Sequence, residues 1–148
     1  MAILNAFIES IDTKDDDEFA RLYKKVPYGI YEVSVEKMEL LKIKNTSQMI
    51  TIWFKVLEGV YEGDYIIINQ MLTQNYQIYT VNELLRSLCL YTHINNDFIY
   101  LCQSQYKDLI NRIFLEVNAN YEYILKYLNG GNGQPIYIID EVFSLMED

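Results

Sequence analysis

Proline and glycine are scarce in this chain, two and six in 148 residues, which excludes collagen-like repeats and Pro/Gly-rich disordered tracts. Cysteine is scarce too. Cys89 and Cys102 are too few for a disulfide scaffold and suit buried thiols in a reducing compartment. No apolar run reaches the roughly 18 to 20 residues that a membrane-spanning helix needs. Residues 1–11 have neither the basic flank nor the cleavage site of a signal peptide, so a soluble, intracellular protein is expected.

Positive charge is the other shortage. Twelve Lys+Arg stand against 21 Asp+Glu, a formal net charge of −9, which disfavours contact with phosphate backbones over the surface as a whole. Residues 140–148 carry four acidic side chains and no basic one, so part of the excess sits at one end. Any recognition of nucleic acid must therefore be local.

Catalytic constellations are equally thin. His93 is the only histidine, and Cys89, His93 and Cys102 offer three metal ligands without a fourth or a paired C-x2-C spacing. Cys89 also falls on the apolar stripe of a helix, where a thiol packs as a small hydrophobe. Gly130-Gly131-Asn132-Gly133 lacks the lysine and helix that follow a phosphate-gripping loop, and reads as a hairpin turn. Asp15-Asp16-Asp17-Glu18 reads as a solvated helix start rather than an ion site. No enzyme, metal or cofactor is expected.

What the chain does have is 51% apolar residues, enough for one domain with a real core. Acidic residues followed by Phe19, Leu22 and Tyr23 at helical spacing predict a short helix within a lead-in over residues 1–25. After Val26-Pro27-Tyr28-Gly29 the period changes to two: Tyr31, Val33 and Val35 alternate with polar residues, and Met38, Leu40 and Leu41 then break the alternation, which predicts a bulged first strand. Residues 49–57 place Ile50, Ile52, Phe54 and Val56 on one face, with Thr51, Trp53 and Lys55 on the other. A glycine-flanked turn leads to a third strand over 64–73.

Helical spacing then governs Ile78 to Tyr91 and Tyr106 to Val117, and alternation returns over Tyr121–Leu128 and Pro135–Phe143. The order strand, strand, strand, helical insert, strand, strand predicts a β-rich α+β fold. Its expected form is a five-stranded barrel of the oligonucleotide-binding (OB) type over 26–148, with the insert at 76–118 and the N-terminal helix added. An open α+β sheet would leave the same pattern.

Tyrosine is the abundant residue, 14 in all, beside six phenylalanines and a single tryptophan. Bases of single-stranded nucleic acid stack on aromatic rings at about 1–3 kcal/mol each, with cations tracking the backbone. In an OB barrel the ligand crosses strands two and three between the first–second and fourth–fifth loops. Those positions map here to Trp53, Lys55 and Tyr65, with Lys42 and Lys44 before strand two and Lys126 and Tyr127 near the 129–134 loop. The competing role for Trp53 is packing under the insert or in a subunit contact, and for Tyr121, Tyr123 and Tyr127 it is filling the core. The acidic end from Asp140 to Asp148 continues directly from a predicted strand and reads as a strand end rather than a partner-recruiting tip.

Three stretches, Val26-Pro27-Tyr28-Gly29-Ile30-Tyr31-Glu32-Val33, Lys37-Met38-Glu39-Leu40 and residues 49–63 (MITIWFKVLEGVYEG), together resemble a phage family, the domain of unknown function 669. The likeness continues through Asn69-Gln70, residues 81–88, Tyr121-Glu122-Tyr123 and residues 138–142. The resemblance implies a bacteriophage protein of the host cytoplasm. It would bind single-stranded DNA in a DNA replication or recombination module, without catalysis, beside phage or host replication and recombination proteins. The alternative is an acidic protein-binding module, or a DNA-mimic inhibitor of a nucleic-acid enzyme. Pairing of edge strands would make either a homodimer.

Overall fold

The computed structural model describes residues 25–43, 47–94 and 103–146. Five strands run in chain order β1 (Gly29–Ile43), β2 (Ser47–Val56), β3 (Tyr65–Met71), β4 (Tyr121–Asn129) and β5 (Pro135–Ser144). Two helices, α1 (Asn75–Leu88) and α2 (Gln103–Val117), lie between β3 and β4. All the strands join one antiparallel sheet in the order β3-β2-β1-β4-β5.

β1 is long because it serves two neighbours: its first residues, 29–33, pair with β4, and residues 33–43 pair with β2. A register shift between Val35 and Lys37 is the predicted bulge. Period two holds on either side of it. Val33 and Val35 are buried before the shift, Met38 and Leu40 after it, so the extra residue at Glu36 keeps both halves facing the core. The Val35 carbonyl, at the bulge, accepts a hydrogen bond of 3.0 Å from Asn118 Nδ2 just after α2.

The core forms between one sheet face and the two helices. Val33, Val35, Ile50, Ile52, Phe54 and Leu125 from the sheet meet Leu85 and Leu88 of α1 and Ile110, Ile113 and Val117 of α2, all fully buried. Several tyrosines belong to this core. Tyr123 and Tyr121 on β4 donate to the Leu88 and Tyr91 carbonyls at 2.7 and 2.9 Å, satisfying backbone acceptors around the C-terminal end of α1. Tyr106 of α2 donates to Asn82 Oδ1 of α1 at 2.7 Å. At its start, α1 begins three residues before Ile78, where the helical spacing sets in, because Gln77 Oε1 reaches back to the backbone N–H groups of Thr73 and Gln74, each at 3.0 Å.

The fold is therefore β-rich α+β, and the barrel expected from the sequence is not closed. Closure needs β3 to meet β5, whereas among the described residues β3 pairs only with β2, and β5 only with β4. The predicted N-terminal helix lies outside the described residues. In the β4–β5 hairpin, Gly130 is required by close approach, since a Cβ there would run into the Gln134 carbonyl oxygen. Among the described residues no helix is long and apolar enough to cross a membrane.

Candidate nucleic-acid interface

Alternation along β2 sends Phe54 and Ile52 into the core and turns Trp53 and Lys55 to the outer face of the sheet. Register then sets their neighbours. Trp53 lies between Lys37 of β1 and Ile67 of β3, and Lys55 between Ser34 and Tyr65. The half-buried indole meets the Tyr65 ring edge-on, centroids 5.8 Å apart at 66°, and Lys37 Nζ lies 4.6 Å from its centroid. Trp53 Nε1 donates to Thr51 Oγ1 at 3.1 Å, which fixes the ring plane. Lys37 also pairs with Glu39 at 3.7 Å, and both side chains keep a third or more of their surface in solvent.

Trp53, Lys55 and Tyr65 are thus brought together. Lys37 joins them unpredicted: strict alternation from Val33 and Val35 would turn it inward, and the bulge turns it out. The resumed pattern Met38, Leu40 is the sequence signal that could have found it. Lys42 is exposed but alternates with Leu41 and Ile43, so it leaves the strand on the side opposite Trp53. Lys44 lies outside the described residues.

The β4 candidates sit elsewhere. Lys126 is opposite Ile30, roughly 20 Å along β1 from Lys37 at about 3.3 Å per residue. Its ammonium pairs with Asp140 at 3.3 Å. Tyr127 turns to the other face, stacks on Tyr137 with centroids 5.4 Å apart at 9°, and tilts against Tyr28 at 4.8 Å. Burial, then the neighbouring Tyr28 and Tyr31 hydroxyls, push its own hydroxyl above the usual tyrosine range.

Charge along β1 changes sign between Lys37 and Glu32. Leu57 N–H donates to the Glu32 carbonyl at 2.9 Å, which brings Glu58 beside Glu32. Loss of solvation, then Glu58 and Glu122, hold the Glu32 carboxyl above its ordinary value of 4.5. A carboxyl raised in the folded state binds more protons there than in the unfolded chain, so this contribution to stability falls as pH rises from about 4.5. Glu32→Gln is expected to flatten that decline and to raise stability at neutral pH by less than about 1 kcal/mol, this being a solvent-screened cluster. Thermal melts of both proteins between acidic and neutral pH check it; parallel curves would refute it.

Two members of the cysteine–histidine grouping can be placed. Cys89 is buried and His93 exposed, while Cys102 lies outside the described residues. Burial pushes the Cys89 thiol up to about 11, the state of a packed thiol rather than a thiolate. Among the described residues no group of three His, Cys, Asp or Glu side chains is placed to hold a metal ion.

Fold and face together define a β-rich α+β protein with helices on one side of an antiparallel sheet and an aromatic patch flanked by lysines on the other. The model of the family described as "Protein of unknown function (DUF669)" matches residues 11–95, more than half of the chain, and the chain belongs to that family. The matched span includes β1 to β3 and α1, hence the whole Trp53 patch. No curated protein matches the chain.

Proposed function

We propose that this protein binds single-stranded DNA on the outer face of β1–β3, as a non-catalytic accessory of phage replication or recombination. The observation that carries the reading is the indole of Trp53 set edge-on to Tyr65, with the ammonium of Lys37 over it and Lys55 two residues along β2. A π-face beside cations suits an unpaired base next to its phosphate. The strand order supports the reading as well. It is the order of an OB barrel opened at its β3–β5 seam, and in such barrels the ligand lies across strands two and three. On binding, a phosphate draws Lys37 from Glu39 and off the ring, and a base takes the ammonium's place. Few cations serve the site, so affinity is modest and local.

Trp53 is the only tryptophan, which makes the test direct. Titration with a homopolymeric deoxythymidine oligonucleotide is expected to quench its emission, and the affinity to fall with salt at a slope of about −0.7 per phosphate met. Constant emission together with no mobility shift at low salt removes the reading.

A further inference from the structure

The other notable surface is the free edge of β5. Among the described residues this strand is hydrogen-bonded along β4 alone, so the N–H and C=O groups on its far side have no ladder partner. The strand stays largely exposed. α1 runs beside it, and the space between them is a groove in two parts, of about 400 and 310 Å³, which share Ser87 and Ile139.

The lining shows how the strand is presented. From β5 it is the unbroken run Tyr137 to Phe143, not alternate residues, as when a strand is met along its edge rather than on its face. Facing it, Tyr79, Glu83, Ser87 and Tyr91 recur every four residues along and just past α1. Tyr79 and Tyr91 are 66% and 61% exposed, so apolar ring surface is already on offer. Seven residues of edge correspond to about 23 Å, room for an extended segment of similar length.

Charge narrows the occupant. Glu83, Asp140 and Glu141 line the groove and no lysine or arginine does. Two of these carboxylates already carry a cation each, Glu83 with Arg86 and Asp140 with Lys126. Phosphates are therefore repelled, and a second copy of β5 would bring its own Asp140 and Glu141 against these carboxylates. We propose that the groove between α1 and β5 receives an extended segment of a partner protein, alternately basic and apolar, as an added strand on β5. Backbone pairing supplies the affinity, the tyrosines with Ile138 and Ile139 take the apolar side chains, and Glu141, the lining carboxylate outside those two pairs, selects the basic ones. The proposal is independent of DNA binding, which uses the outer face of β1–β3.

A labelled synthetic peptide of about ten residues alternating valine and lysine is the probe. Anisotropy of the label is expected to rise saturably, and amide resonances of 137–143 and of the facing side of α1 to shift. Glu141→Lys should weaken binding about tenfold, and Ser87→Trp, which fills the junction of the two parts, should abolish it. Circular dichroism confirms that each variant is folded, and both retain whatever DNA affinity the parent has. A peptide N-methylated on alternate residues is expected to fail. Equal binding of that peptide, shifts confined to other surfaces, or concentration-dependent dimerisation that protects the β5 amides without peptide would each overturn the proposal.

Discussion

Phe54→Ala is expected to remove about 3–5 kcal/mol of stability, because it empties a site that the surrounding sheet cannot collapse to fill. Phe54 is fully buried at the middle of the sheet, registered between Val35 of β1 and Ile66 of β3. Both flanking strands are held by ladders on β2, so neither can move inward without breaking hydrogen bonds. The loss approaches the whole stability of an ordinary domain, about 5–15 kcal/mol. Phe54→Leu, which nearly conserves volume, should cost under about 1.5 kcal/mol. Urea titrations followed by circular dichroism decide the matter: the alanine midpoint should fall steeply with the slope unchanged. A loss below about 1 kcal/mol would mean that β2 is not the centre of the core.

Why β2 was legible in the sequence while other features were not follows from what alternation encodes. Ile50, Ile52, Phe54 and Val56 report one face of one strand, and that report does not depend on neighbours. The bulge in β1 was visible for the same reason, as an interruption of the period around Met38. Alternation carries no information about whether the first and last strands of a sheet meet, so an open sheet and a closed barrel look alike. The tyrosines were legible as core residues by their spacing, but not in what their hydroxyls do. Tyr106, Tyr121 and Tyr123 bury rings in the core and spend their hydroxyls on Asn82 and on carbonyls at the end of α1, pairings across 24 to 35 residues of sequence that no local pattern displays.

The candidate site divides along the same line. Trp53, Lys55 and Tyr65 lie on adjacent hairpin-linked strands, so turn and alternation sufficed to gather them. Lys37 reached the patch only through a one-residue shift of register. Lys126 and Tyr127 were assigned by analogy with a loop position, and consecutive residues of a strand cannot share a face. One pairs with Asp140 and the other stacks on Tyr137.

Trp53→Ala is expected to weaken binding of a labelled deoxythymidine oligonucleotide by about 1–3 kcal/mol, roughly a 5- to 150-fold rise in Kd at fixed salt. Stacking on one ring accounts for that range, and Tyr65 alone, held edge-on, offers little face in exchange. The same variant should leave the salt slope unaltered, because it removes no cation. Lys55→Ala should do the reverse, reducing the slope by about 0.7 with a smaller loss of affinity at low salt. Trp53→Phe restores an aromatic face and should recover much of the binding, whereas a purely structural role for the indole would make Phe and Ala variants differ in melting temperature but not in Kd. Anisotropy titrations across a salt series separate these outcomes. Unchanged affinity in Trp53→Ala, with the fold intact, would leave the patch without the role assigned to it.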